Sequence, residues 1–138
     1  MIVGLGVDLV EIARVRRLIE NRGERAMARL FTDGEREYAG YRVDPARHLA
    51  ARIAAKEAAF KALAGSDLAR RIAWRELEVF AREDGGPLLR LHGRAERRAA
   101  ELGVARILVT ISHTDTMAVA VVVLEKDGDR DSGLRTAD

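Results

Sequence analysis

The order of apolar and polar residues predicts strands and helices along the 138-residue chain. Period-two alternation over residues 1–10 predicts a first strand with two different faces. The face that is predicted to join the core carries Val3, Leu5, Val7 and Leu9. The other face carries Gly4, Gly6 and Asp8, so it is almost bare and leaves room for something to approach.

Three helical segments are predicted to follow this strand. Residues 11–22 have the apolar spacing of a short amphipathic helix. Thr32 and Glu35 have the spacing of a capping box at the start of a second helix, which ends near Gly40, so we expect a structural role for Glu35. Pro45 marks the first turn of the third helix, a position that favours proline.

The third helix, which continues towards Gly65, is the element around which we expect the chain to be arranged. Alanine and straight-chain residues dominate it and favour helix formation. One side is an apolar stripe of Leu49, Ile53, Phe60 and Leu63, and the other carries Ala51, Ala54, Ala55, Ala58 and Ala62. A helix that is apolar or bare on both sides is usually interior. Its charges therefore either form ion pairs, such as Glu57 with Lys61, or face a charged ligand.

The second half of the chain is predicted to be mostly extended. Strands at 77–81 and 88–91 flank a turn, a helix spans 94–102, and a hairpin joins strands 106–113 and 117–125. The last strand is apolar on both faces. We expect one face to pack on the third helix and the other to be covered in an oligomer.

These elements predict an α+β fold, with a mostly antiparallel sheet wrapped around one long central helix. We predict a single domain over residues 1–125, because a chain of 138 residues suits one core. Residues 126–138 are polar, and we predict that they form a flexible C-terminal tail.

The composition of the chain limits the cellular compartments and the classes of partner that are compatible with it. The chain has no cysteine, so it forms neither disulfides nor thiolate metal sites, which suits a cytoplasmic protein. No stretch approaches the roughly 20 apolar residues of a membrane span, and no signal peptide is expected. The net charge of +2 argues against a dedicated nucleic-acid binder.

Local charge is more informative than this total. Between residues 11 and 30 six arginines accompany three glutamates, which gives the segment a net charge of +3. Such a face either is simply solvated or attracts an acidic partner. The arginines are Arg14, Arg16, Arg17, Arg22, Arg25 and Arg29.

Asp8 and Glu57 are candidates for a magnesium site. Mg²⁺ prefers oxygen ligands and is commonly held by one or two carboxylates together with substrate phosphates. Arg52, Lys56 and His113 would then hold the phosphates, because arginine offers a bidentate fork and lysine a point charge. A structural role for His113 is equally open, since it ends an apolar strand face.

Five stretches of the chain have the appearance of family motifs, namely residues 4–12, 50–58, 60–63, 85–87 and 111–114, together with Ala118 and Ala120. These stretches resemble the bacterial holo-acyl-carrier-protein synthases. They match the opening strand, helix motif, glycine–x–proline turn and closing hairpin of that family, and the resemblance covers residues 1–125 in order. Departures at His48, Ala51 and Ile53 concern packing positions on the helix rather than the chemistry.

The resemblance implies a 4′-phosphopantetheinyl transferase that moves 4′-phosphopantetheine from coenzyme A to a serine of apo-acyl carrier protein. The products would be holo-acyl carrier protein and adenosine 3′,5′-bisphosphate. The resemblance also implies a homotrimer that binds coenzyme A between neighbouring subunits. Which carrier protein is served, from fatty-acid or polyketide synthesis, stays open.

The same resemblance implies roles for individual residues. Asp8 and Glu57 would hold Mg²⁺, and Lys61 would take a direct part by protonating the leaving phosphate or orienting the nucleophile. The implied coenzyme A contacts are Arg52, Lys56, His113 and Thr114. Arg14 matches a carrier-contact position, and the nearby candidates for docking an acidic carrier are Arg17, Arg22 and Arg25. The base that removes the serine proton stays open.

Three alternatives remain at the level of sequence. One is a non-catalytic anion- or nucleic-acid-binding module that uses the same arginines, although the six aromatic residues show no stacking arrangement. Another is a transferase subclass in which two such domains are fused, against which the chain shows no internal repeat. The third is an inactive structural subunit, which the retention of Asp8, Glu57 and Lys61 argues against.

Overall fold

The computed structural model describes residues 1–128. The strands are β1 (Ile2–Glu11), β2 (Leu77–Ala81), β3 (Pro87–Leu91), β4 (Arg106–His113) and β5 (Met117–Glu125). The α-helices are α1 (Ile12–Leu30), α2 (Asp33–Gly40), α3 (Pro45–Leu63), α4 (Asp67–Arg70) and α5 (Gly93–Leu102), and a 3₁₀ turn spans Trp74–Glu76. Of the predicted tail, residues 129–138 lie outside the described residues, whereas Lys126 exchanges backbone hydrogen bonds with Met1.

The strands form two antiparallel sheets, and the α+β class predicted from the sequence is confirmed. One sheet has the order β1-β5-β4, and the other is the β2–β3 hairpin. Helix α3 packs on strands of both sheets and on α1, α2 and α5. Its alanine side is buried as completely as its apolar stripe, with Ala54, Ala55 and Ala58 fully inaccessible. No helix within residues 1–128 has the length and apolar character to cross a membrane.

The structure reverses the predicted faces of β1 beyond Val3, which packs against the core as predicted. Leu5, Val7 and Leu9, which were predicted to join the core, are 64%, 54% and 60% exposed. The glycine face packs on α3 instead, so closely that a Cβ added at Gly6 would lie 1.9 Å from the carbonyl oxygen of Ala58. A Cβ at Gly4 would lie 2.3 Å from the carbonyl oxygen of Ala62. The space left by the missing side chains is therefore filled by the backbone of α3.

The outer face of the three-stranded sheet is apolar and open. The buried side of β5 packs on α3, as predicted, through Ala118, Ala120, Val122 and Leu124. Its other side is half-buried and continuous with β1, because Val7 pairs with Val121 and Leu9 pairs with Val119. Leu108 on β4 extends this surface and is 53% exposed. We call these outward residues of β1, β4 and β5 the open sheet face.

Helix α1 is longer than predicted. It begins at Ile12 and ends at Leu30 rather than near residue 22, and Gly23, at φ 53° and ψ −136°, breaks it into two segments. Met27 and Leu30 of the second segment pack against the core and account for the extension. At the start of α2, Thr32 and Glu35 form the predicted capping box, with reciprocal hydrogen bonds of 3.2 Å and 2.9 Å.

Candidate active site

The close packing of β1 on α3 brings Asp8 to Lys61. Asp8 follows Gly6 on the helix-facing side of the strand, and its side chain is 13% exposed. Lys61 Nζ lies 2.8 Å from Asp8 Oδ1 and donates a second hydrogen bond, of 2.9 Å, to the carbonyl oxygen of Val7. Lys61 therefore forms its ion pair with Asp8 of β1. The alternative pair of Lys61 with Glu57, which was considered from the sequence, does not form.

The Glu57 carboxyl lies beside that of Asp8. Burial raises the pKa of Glu57 to about 7, and the adjacent Asp8 reinforces the shift through a hydrogen bond and its charge. Burial also opposes ionisation of Asp8, but hydrogen bonds with Glu57 and Lys61 outweigh it and hold the pKa of Asp8 below its usual value. Without a metal, the two carboxyls thus favour a state in which Glu57 keeps its proton and Asp8 is ionised.

The donor set of this pair fits Mg²⁺. When both carboxyls are ionised they only accept hydrogen bonds, and buried Asp8 Oδ2 has no hydrogen-bond partner within residues 1–128. Two adjacent carboxylates offer the oxygen ligands that Mg²⁺ prefers, and this ion usually completes its shell with waters and phosphate oxygens. Within the same residues no cluster of three or more His, Cys, Asp or Glu side chains forms a full protein cage.

Lys56 does not lie in this site. Its side chain is fully buried, and Nζ donates to Glu35 Oε1, to the carbonyl of Leu30 and to that of Trp74. The predicted contact of Lys56 with coenzyme A is therefore wrong for this fold, because the ammonium has no exposed surface and its three donors are used.

A second group of cations lies nearer the start of α3. Arg52 is 6% exposed and packs over the ring of Tyr38, with its guanidinium carbon 4.5 Å from the ring centroid. The guanidinium carbon of Arg42 lies 4.2 Å from the same centroid, and the ring of His48 meets it edge-on at 6.0 Å. Arg52 Nε is buried and has no hydrogen-bond partner among the described residues, so a donor is left for a further acceptor.

The electrostatics of this group favour an anion. Burial lowers the pKa of His48, and the positive charges of Arg52, Arg42 and His113 lower it further. His113 ends β4 and Thr114 follows it, and both are exposed. Thr114 Oγ1 accepts a hydrogen bond of 3.1 Å from the N–H of Met117. We call Arg42 and Arg52, together with the adjoining His48 and His113, the cationic cluster, in which the two arginines carry the charge. Arg42 was not predicted from the sequence, because its place depends on the ring of Tyr38.

The predicted arginines of α1 lie around a cleft of about 970 Å³. Arg14, Arg17, Arg22 and Arg25 are all exposed and all line it. The inner wall is largely apolar and includes Leu30, Ile53 and Trp74, beside Glu57. The cleft therefore connects the basic helix with Glu57. Its inner wall was not predicted, because it is built by residues far apart in the chain.

The chain is similar to known proteins over most of its length. Residues 4–122 match the family model of the 4′-phosphopantetheinyl transferase superfamily. The chain is 47% identical over 131 residues to a holo-[acyl-carrier-protein] synthase of Anaeromyxobacter sp. (strain K), covering 93% of this chain and 99% of the relative.

Two solved structures share the fold. The holo-[acyl-carrier-protein] synthase of Neisseria meningitidis superimposes with a TM-score of 0.81 at 28% identity, over 91% of this chain and 100% of that one. The synthase of Bacillus anthracis, solved in complex with coenzyme A (3′,5′-ADP), has a TM-score of 0.73 at 30% identity, over 92% and 99% of the two chains. The chain therefore belongs to the holo-[acyl-carrier-protein] synthase family of the 4′-phosphopantetheinyl transferase superfamily.

Proposed function

We propose that this protein transfers 4′-phosphopantetheine from coenzyme A to a serine hydroxyl of an apo-acyl carrier protein and releases adenosine 3′,5′-bisphosphate. The observation that carries the proposal is the meeting of Asp8, Glu57 and Lys61, of which Glu57 also lines the cleft. Two carboxylates and an ammonium in contact suit phosphoryl transfer, in which positioning and neutralisation of charge account for most of the catalysis.

Asp8 and Glu57 would hold Mg²⁺. When bound, the ion would neutralise charge on the coenzyme A pyrophosphate and on the leaving group. The Lys61 side chain is 57% exposed although its Nζ contacts Asp8, so it can reach a phosphate oxygen and donate a proton or a hydrogen bond there. The raised pKa of Glu57 means that metal binding must displace its proton.

The cationic cluster would hold the phosphates of coenzyme A. Arg52 supports this assignment through its unpartnered Nε, and His113 and Thr114 through their exposure at the end of β4. Along α3, Arg52 precedes Glu57 by five residues, or about 7.5 Å of helix. Coenzyme A is long enough to engage cations and carboxylates at that separation.

The carrier protein would dock on the basic face of α1. Arg14, Arg17, Arg22 and Arg25 present positive charge around the mouth of the cleft, which suits an acidic partner and speeds its encounter. The cleft then leads from the docking face to Glu57. The cytoplasm is the proposed compartment, in keeping with the cysteine-free composition.

We further propose a homotrimer that buries the open sheet face. Monomeric proteins rarely expose a continuous apolar surface of this kind. Leu5, Val7 and Leu9 are each more than half exposed, and they adjoin the half-buried outer side of β5. In such an assembly coenzyme A would bind between neighbouring subunits.

The proposed reaction is tested by mass spectrometry of an apo-acyl carrier protein after incubation with this protein, coenzyme A and Mg²⁺. The expected result is a mass gain of one phosphopantetheine, abolished by EDTA and restored by added Mg²⁺. If several carrier proteins gain no mass from folded protein that binds coenzyme A, the proposal is wrong.

A further inference from the structure

Lys56 is the one charged residue of the α3 motif that the proposed reaction does not use. Its Nζ donates to Glu35 Oε1 at 2.6 Å, to the Leu30 carbonyl at 2.7 Å and to the Trp74 carbonyl at 3.1 Å. An ammonium has three donors, so Lys56 is fully satisfied inside the core.

Glu35 connects Lys56 to further parts of the chain through its own hydrogen bonds. Its side chain is fully buried, and Oε1 also accepts from the N–H of Thr32 at 2.9 Å. Oε2 accepts from the N–H of Val79 at 3.0 Å. The Lys56–Glu35 pair therefore ties α3 to the end of α1, the start of α2, the 3₁₀ turn and β2.

Two of the residues held by this pair are walls of the cleft. Leu30 and Trp74 both line it, as does Glu57, which follows Lys56 directly in α3. Stability alone does not explain the pair, because a buried ion pair is often no more stabilising than apolar residues of similar volume. The hydrogen bonds from Lys56 to the carbonyls of Leu30 and Trp74 are directional. They therefore fix the positions of these two residues more strictly than apolar packing would.

We propose that Lys56 and Glu35 are positioning residues that hold Leu30 and Trp74 at a set distance from Glu57. The pair thereby shapes the cleft through which the carrier serine reaches the carboxylates. The proposal rests on the proposed transferase function, but its structural part concerns the cleft wall and is measurable without turnover. A displacement of about 1 Å at a reacting centre can cost on the order of 100-fold in rate.

The test uses the double variant Lys56→Met/Glu35→Gln. Lys56→Met alone leaves a buried carboxylate without its cation and is expected to unfold easily. In the double variant, the glutamine side chain that replaces Glu35 is neutral and keeps an oxygen acceptor. The protein is therefore expected to fold, as circular dichroism would check.

The first readout is Trp74, the only tryptophan in the chain. In the double variant its emission is expected to shift to longer wavelength, and acrylamide is expected to quench it more strongly. The second readout is steady-state kinetics, in which kcat/KM for the carrier protein should fall at least about tenfold while KM for coenzyme A stays within about twofold.

Arg98→Met is the matched control. Arg98 is also a buried cation that donates to backbone carbonyls, but these are the carbonyls of Leu63 and Ala64 at the C-terminal end of α3. Arg98 does not line the cleft. The substitution should lower thermal stability and leave Trp74 quenching and the carrier kinetics unchanged.

Wild-type values of Trp74 quenching or of carrier kcat/KM in the folded double variant would overturn the positioning role. A large rise in KM for coenzyme A would also overturn it, since Lys56 would then act on that substrate. If the wild-type protein itself transfers nothing, the proposed function fails, and Trp74 quenching alone decides whether the pair holds the wall.

Discussion

At the scale of single residues, Glu57 and its neighbour Lys56 have different surroundings, and only Glu57 lies in the candidate active site. Glu57 lies beside Asp8 at the cleft, whereas Lys56 is enclosed with Glu35. The sequence contained the signal for this difference. Lys56 lies three residues after Ile53 and four before Phe60, so it belongs to the apolar stripe of α3 and was wrongly treated as a ligand-facing charge.

The raised pKa of Glu57 predicts how the stability of the metal-free protein depends on pH. Because the pKa in the folded state, about 7, exceeds the ordinary value of 4.5, the folded state binds the proton more tightly than the unfolded state. The stabilisation is fully present below the unfolded pKa and is lost as pH rises through the folded pKa.

In EDTA, the free energy of unfolding of the wild type should therefore fall relative to that of Glu57→Gln between about pH 5 and pH 8. Urea unfolding of both proteins at a series of pH values measures this difference. Parallel pH dependences would show that the pKa of Glu57 is not raised in the folded protein.

Substitution of Lys61 tests its direct part in the reaction. Lys61→Met removes the ammonium that contacts Asp8, and we expect kcat to fall on the order of 100-fold. The free energy of unfolding should fall as well, because Asp8 is only 13% exposed and loses its cation. Rate measurements alongside urea unfolding separate the two effects, and an unchanged kcat would remove Lys61 from the mechanism.

At the scale of elements, the contact between β1 and α3 creates the site. The sequence predicted both elements and the bareness of one strand face, but it assigned the wrong face of β1 to the core. Alternation alone cannot decide this, because a strand packs either through large side chains or, as at Gly4 and Gly6, through its backbone. Which way the strand packs depends on a helix some fifty residues later.

A methyl group at Gly6 should force these two elements apart. The Cβ of Gly6→Ala would overlap the Ala58 carbonyl, so we expect a loss of about 1–3 kcal/mol or more in the free energy of unfolding, together with weaker activity. Gly40→Ala is the control, because nothing lies within 4 Å of its added Cβ. Thermal unfolding of both variants measures the difference, and equal stabilities would contradict the close packing.

At the scale of the whole molecule, the open sheet face is the main apolar surface that is left exposed. The sequence predicted that β5 needs cover on both sides, and α3 provides it on one. The exposed residues of β1 were not foreseen as part of the same surface, because they were assigned to the core. The proposed trimer accounts for both strands at once.

A charge on this face should prevent assembly. Val7 is 54% exposed and pairs with Val121, so Val7→Glu would bury a carboxylate in the proposed interface. Light scattering after size exclusion should give three times the 15.2 kDa chain mass for the wild type and a smaller mass for the variant. Val43→Glu, at an exposed position away from the sheet, should leave the mass unchanged. A monomeric wild type would refute the trimer.

The most direct test of the central claim is the rate of phosphopantetheine transfer to an apo-acyl carrier protein by wild type, Glu57→Ala and Glu96→Ala. Glu96 is an exposed glutamate on α5 and serves as the matched control. We expect transfer that requires Mg²⁺, is lost in Glu57→Ala and is unchanged in Glu96→Ala. Transfer by Glu57→Ala at the wild-type rate would show that the carboxylates beside the cleft are not the catalytic centre.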